Sequence, residues 1–421
     1  MNSPRTSAKN GLPVEMNLLR IVAQGLVPET SASSVTQVVE NNLAVQGQQV
    51  SSIPHALMMR VPKACKSDVE AAFEGGHLVR SWPMRGTLHV TRALDHHWLR
   101  LTLCRQGAWT RQREAEMRLT EKLAQDAADL AWGLIAKEGP LSRAQLFEAW
   151  EQSGLGAKLS NPQPAEDRAK NGPWGAVENY PWRRTLLFKL FRDGLLVQGP
   201  VRGNEHLLID ARSLPAADSP HSPVKTKGPG SPDHEHALAE VARRYATSHG
   251  PVTPADLSRW AGIGIVAART ALASAVELSQ SMPDVPALEA RYLDADRQRL
   301  DHGQQAGKTA KTRKTGEVFY LRADLHDLLA DNRKAAEATF FLPSFDELHV
   351  GYKDRTCLTD EAGETLICPG KNGMFRPIFI TRGRLVAVRL GKELLWHTDP
   401  SKRLHTQAIR ELESVQTRLT Q

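Results

Sequence analysis

Leu78-Val79-Arg80-Ser81-Trp82-Pro83-Met84-Arg85-Gly86-Thr87-Leu88-His89-Val90 closes a series of short helices with β-type alternation. Pro83 divides it into two strands, because proline has no N–H to give a ladder. In the second strand Met84, Leu88 and Val90 face one way, and Arg85, Thr87 and His89 the other. Just upstream, Ser67 reads as an N-cap, with Glu70 three residues on and Val69, Ala72 and Phe73 as the apolar face. Gly75-Gly76 stops that helix. Short helices, a glycine stop and a hairpin are the order of a winged helix-turn-helix.

The same order returns twice. Pro181-Trp182-Arg183-Arg184 opens a helix through Arg192, Asp193-Gly194 ends it, and Leu195 to Ile209 makes a hairpin with Arg202-Gly203-Asn204 at its tip. A third copy starts at Ser231-Pro232-Asp233 and continues through Trp260-Ala261-Gly262-Ile263 into a helix over Val266 to Ala275. Strands near Val276 to Leu278 and Val318 to Leu321 would form its wing. From Thr339 the texture turns to β, with Ile378 to Thr381, a turn at Arg382-Gly383 and Arg384 to Arg389 as a hairpin.

The expected fold is therefore α+β, with three tandem winged helix-turn-helix domains followed by a small C-terminal antiparallel β-barrel or sheet. Residues 1–13 read as a disordered lead-in, 14–125 as the first winged helix and 126–213 as the second. Residues 214–230, rich in Pro, Ser and Gly, read as a linker. The third winged helix takes 231–335, with a basic insertion in its wing from Lys308 to Lys314. The β domain takes 336–400, and an amphipathic helix 401–421.

A chain of 421 residues with a formal charge of +7 leans mildly towards polyanionic partners. Cys65, Cys104, Cys357 and Cys368 have neither metal-site nor redox spacing. His234 and His236 diverge at a helix start without a cysteine, so no metal and no cofactor are expected. No run approaches the ~18 apolar residues of a membrane helix, and the N-terminus has no secretory h-region. These features predict a soluble, intracellular protein with no membrane partner. The repeated winged helices add double-stranded DNA as partner, hence a cytoplasmic, nucleoid-associated location, and a monomeric state, since several reading heads lie in one chain.

Chemistry concentrates in Leu43-Ala44-Val45-Gln46-Gly47-Gln48-Gln49, after an amphipathic helix from Ser34 to Leu43. On a helix, Gln46 and Gln48 would diverge by about 200°. They share a side only if the backbone leaves the helix, which Gly47 makes easy. A helix C-terminus with Gly47 near its cap would account for the same letters.

Several stretches together carry a resemblance. They are Ala44-Val45-Gln46-Gly47-Gln48, Val79 to His89, Trp260 to Ile263, Leu342-Pro343-Ser344-Phe345-Asp346-Glu347, Gly351 to Arg355 and Asn372 to Pro377. Through them the chain resembles the AlkZ/YcaQ family of bacterial winged-helix DNA glycosylases, from Leu18 to about Leu390. The resemblance implies tandem winged helices plus a β-barrel curved around damaged DNA. It also implies a catalytic Gln-x-Gln or Gln-x-Asp motif, which falls on Gln46 and Gln48. Gly47 departs from the family's larger residue between them.

Glutamine does not titrate usefully, so it orients water and sets a carbonyl dipole against positive charge rather than acting as a base. Such a site suits N-glycosidic hydrolysis of cationic N7-alkylated purines, which leave without protonation, through an oxocarbenium-like sugar. The resemblance extends this to interstrand crosslinks. Arg80, Arg85, Thr87 and His89 are the expected DNA contacts of the first wing, close to the glutamines. Arg183 and Arg184 open the second recognition helix. Arg202, Arg355, Lys371, Asn372 and Arg376 complete the DNA-facing set. Asp346 is an accessory candidate, whose plainer reading is a turn cap. His89 has one too, a wing histidine bonded to nearby backbone. The alternative function is a non-catalytic winged-helix DNA-binding protein or transcription regulator.

Overall fold

The computed structural model describes residues 11–104, 108–158, 181–215, 232–294, 300–301 and 317–421. Most of the lead-in and linker, the Ser231 cap and the basic stretch Lys308 to Lys314 lie outside the described residues. The chain divides into two compact units, one made of Met1–Val69 with Gly230–Gln421 and the other of Glu70–Pro229. The cut falls inside the helix Lys66–Glu74, so the expected first domain, 14–125, contributes to both. That helix starts one residue before Ser67. Asp68, not Ser67, serves its start, accepting the Cys65 N–H at 2.8 Å, and this hydrogen bond holds its carboxyl below the usual range.

The contiguous unit is organised by two hairpins in one antiparallel sheet. Their strands run in the order Thr87–Arg92, Leu78–Met84, Leu196–Arg202, Glu205–Asp210. Arg80 stands opposite Gln198 where the hairpins meet. The first turn is not at Pro83. Leu78–Met84 continues through the proline as a bulge between Ser81 and Met84, and the chain reverses at Arg85-Gly86. Both turn residues have positive φ, 55° and 69°, as a two-residue hairpin turn matched to strand twist requires. The second hairpin repeats the device, with Pro200 in a bulge between Gln198 and Val201. Helices Glu121–Glu138, Arg143–Gln152 and Pro181–Arg192 pack beside the sheet around Phe147, Trp150, Trp182 and Phe191.

In the discontinuous unit, helices Pro254–Ala261 and Ile265–Gln280 turn through 112°, within the range of a helix-turn-helix. Thr253 caps the first in a capping box with Asp256, and Gly262 ends it in the left-handed conformation. Val276 to Leu278 is not a strand. An alanine-rich, strongly helical segment carries Ile265–Gln280 through it, and the strands that pair after it are Leu288–Leu293 and Val318–Arg322. The C-terminal β element is an open four-stranded antiparallel sheet rather than a closed barrel. Its order is Glu393–Trp396, Arg384–Leu390, Ile378–Thr381, Thr339–Leu342. Phe345 to Leu348 is not β. Phe345 takes φ 64° and Asp346 caps the short helix Glu347–Val350. The last helix, Lys402–Thr420, lays its apolar face on this sheet, and Arg418 donates to the carbonyls of Met58, Val61 and Ala64.

Candidate active site

Helix Val35–Asn42, capped by Ser34, buries Val35, Val38 and Val39. It ends not at Gly47 but at Leu43, whose backbone adopts φ 64°, ψ −49°. The Ala44 N–H donates to the Asn42 carbonyl at 2.7 Å across this residue, closing a three-residue turn of the positive-φ kind. A leucine held there is strained by about 1–3 kcal/mol. The turn frees the chain from the helix and sends Val45–Gln46 off as a short strand.

The two glutamines have unlike surroundings. Gln46 is 8% exposed, and its side-chain carbonyl oxygen, Oε1, is buried with no hydrogen-bond partner. Gln48 is exposed. The Gln46 main-chain N–H donates to Glu347 Oε1 at 2.7 Å. The other Glu347 oxygen accepts from Trp260 Nε1 at 3.2 Å and lies 3.3 Å from His249 Nε2. Asp346, next in the chain, is fully buried. It forks onto Arg60 at 2.9 and 3.0 Å and accepts the Leu348 N–H at 2.9 Å. It therefore caps a helix and holds an arginine, and does not face solvent or DNA.

A connected polar layer lies beneath. Arg60 donates to Gln24 Oε1, Gln24 Nε2 to the Tyr352 hydroxyl, and that hydroxyl to the His249 carbonyl. Burial pushes the Tyr352 hydroxyl well up, so it stays a neutral donor. Arg20 stacks on the Tyr352 ring at 3.8 Å and pairs with Asp256. A cavity of ≈ 20 Å³, lined in part by Gln24, Asn42 and Arg60, includes two groups with unpaired buried atoms, Asn42 Oδ1 and Arg60 Nε. That is room for about one water. Gln46 does not line it.

The other expected residues divide by how they are held. In the first hairpin Arg85 Nη2 lies 3.2 Å from His89 Nε2, and His89 Nδ1 lies 2.9 Å from the Thr87 carbonyl. His89 is fully buried, so it orients the turn rather than presenting itself to a ligand. Thr87 is half-buried. Arg80 is buried against Gln198 Oε1, and burial first, then the Arg143 guanidinium, draws it down to about 9. It is a sheet-core residue and not a surface phosphate contact.

Arg183 likewise turns inward. It pairs with Glu151 and lies over the Phe147 and Trp182 rings, while Arg184 is exposed. Arg202 is exposed and paired with Glu74 at 2.7 Å. Arg355 pairs with Glu364 at 2.8 Å, and Arg376 donates to the Leu366 carbonyl. Lys371 and Asn372 are exposed in a tight loop, where Asn372 Oδ1 accepts the Met374 N–H. Arg384, flanking the Arg382-Gly383 turn, is tied to the carbonyls of Thr356 and Cys357.

Sequence reasoning passed over Glu347, Arg60 and Leu43. Glu347 had a signal, as an acidic residue directly after Asp346 in a stretch otherwise read as DNA-facing. Leu43 had none, because a leucine at positive φ is written nowhere in its neighbours.

A family model described as "DNA glycosylase AlkZ-like" matches residues 39–393. A protein from Streptomyces sahachiroi named "Interstrand DNA cross-link repair glycosylase" is 25% identical over 247 residues, 57% of this chain. That match spans 58% of the relative's length. The solved structure of the Streptomyces sahachiroi DNA glycosylase AlkZ superposes with a TM-score of 0.61 at 17% identity, covering 96% of each chain. At that identity the likeness is one of fold.

Proposed function

The chain belongs to the AlkZ-like DNA glycosylase family, and on that premise we propose that it hydrolyses the N-glycosidic bond of cationic N7-alkylated purines in duplex DNA. Interstrand crosslinks joined through N7 are included. The observation that carries this reading is the buried, unpartnered carbonyl oxygen of Gln46, on a strand that a strained turn has pulled out of its helix. An acceptor left unsatisfied in a protein interior is disfavoured by about 1–3 kcal/mol unless something uses it.

In the proposed step the C1′–N9 bond breaks and the purine keeps the electron pair, which neutralises its positive charge. The sugar passes through an oxocarbenium-like state, against which the Gln46 carbonyl dipole comes to bear when bound DNA opens the buried oxygen to the sugar. Gln48 orients a water whose oxygen bonds to C1′, and the water's proton passes to solvent, since an amide does not accept it. Neutral bases are poor substrates because neither glutamine can protonate them. The chain acts as a monomer carrying three winged helices, with Arg85, Arg184, Lys371 and Asn372 as its phosphate-facing groups.

The test is abasic-site formation on duplexes carrying N7-methylguanine or an N7-linked interstrand crosslink. Wild type is run beside a Gln46→Ala/Gln48→Ala double variant. Release by wild type alone supports the reading. Intact DNA binding with no release from either substrate replaces it with a non-catalytic DNA-binding protein.

A further inference from the structure

The Gln46 side-chain oxygen makes no hydrogen bond of its own, so the residue is anchored through its main chain, from which the amide projects. That main chain leaves a helix through an unfavourable turn at Leu43, and such a turn persists only where surrounding contacts over-determine it. The hydrogen bond from the Gln46 N–H to Glu347 is such a contact, and it joins residues 301 apart in sequence. Glu347 is itself immobilised. Its side chain is 1% exposed, and its second oxygen is held by Trp260 and faces His249, whose other ring nitrogen lies 2.8 Å from Ser248 Oγ. Its backbone is packed as closely, since a Cβ at Gly351 would fall 2.5 Å from the Glu347 carbonyl and 2.9 Å from the His249 ring.

We propose that Glu347 is a positioning residue for base excision, whose carboxylate fixes the Gln46 amide and thereby the direction of the unpartnered Gln46 carbonyl. The inference rests on the glycosylase reading. Supporting groups of this kind set reacting atoms to within about 0.5 Å. Shortening the side chain by one methylene, Glu347→Asp, withdraws the acceptor from Gln46. Glu347→Gln keeps an oxygen for the Gln46 N–H but offers an NH2 to the Trp260 donor, so it is an intermediate case.

The experiment has three readouts on the full chain. Hydrogen exchange of the peptide spanning Leu43 to Gln49 reports the Gln46 amide. Single-turnover release of N7-methylguanine reports chemistry, and the Kd for the same duplex reports binding. In Glu347→Asp we expect faster exchange, release slowed at least tenfold, and a Kd within twofold of wild type, with Glu347→Gln between the two. Faster exchange with release at the wild-type rate overturns the proposal, as does a loss of release that only tracks a loss of DNA binding or of the far-UV spectrum in both variants. If wild type itself releases no base while the exchange difference stands, the glycosylase reading has failed, and the positioning role of Glu347 in excision falls with it.

Discussion

The strand Val45–Gln46 and the two arginine-tipped hairpins were all marked by sequence as parts that meet DNA, yet they are held in opposite ways. Around Gln46 the supporting groups are buried charges and aromatic N–H donors with fixed partners, from Glu347 and Trp260 to Arg60 and Asp346. At the hairpin tips the charges stand at or near the surface, Arg202 on Glu74 and Arg85 beside His89. Chemistry needs its groups within fractions of an ångström, and a buried polar network supplies that rigidity. Phosphate contact tolerates a charge on a long stem and is screened by salt in any case.

Removing a member of the buried layer is the strongest way to break the contrast. Arg60→Ala leaves Asp346 buried without its partner and should destabilise the discontinuous unit by about 3–5 kcal/mol, read as a urea midpoint. A loss below 1 kcal/mol would mean the layer is not rigid. Next, Gln46→Ala should slow single-turnover excision by about 10²–10³-fold and leave the Kd for duplex DNA within twofold. A fall in binding of the same size would move Gln46 to the binding side.

Both regions also hold a buried histidine, and these let pH compare them. Burial brings His55, whose ring bonds the Phe341 carbonyl, down to about 4, and it brings His206 to about 4 with Arg80 as a lesser cause. Below about pH 6.5 the unfolded chain takes up a proton that the folded rings refuse. The stability present above pH 6.5 is therefore lost as pH falls towards 4, by about 3 kcal/mol for each ring. Denaturant midpoints of His55→Gln and His206→Gln at pH 7 and pH 4.5 should show a smaller drop than wild type. An undiminished drop assigns the loss to other groups.

The hairpins give the smaller effects. Arg85→Ala should weaken DNA binding and lower the slope of log K against log salt by about one, and an unchanged slope removes Arg85 from the phosphate contacts. Arg202→Ala should leave the melting temperature unmoved, because an exposed pair contributes little. A clear shift would show that the tip is structural.

Most of the scaffold was legible. The hairpins, the 254–280 helix pair and the C-terminal sheet follow from alternation, capping residues and glycine stops. What misled was local. Pro83 read as a break because a bulge is set by the partner strand, and Val276 to Leu278 read as β although it continues an alanine-rich helical run. At the site, Gln46 was legible as a residue type in a motif, but its environment was not. The turn at Leu43 and the grip of Glu347 are made by segments far apart in sequence, so no local window contains them. The same holds for Arg80 and Arg183, basic in letter but turned inward by Gln198 and Glu151.

One unit is contiguous and the other is split around it, and during synthesis this sets an order of events. Glu70–Pro229 is complete in sequence while Met1–Val69 still lacks Glu347, Trp260 and the sheet that Lys402–Thr420 covers. At ~5–20 residues per second that wait lasts tens of seconds. For that interval the nascent chain carries the two glutamines without the geometry proposed for them, and the proposed base excision waits until Trp260 and Glu347 have been added.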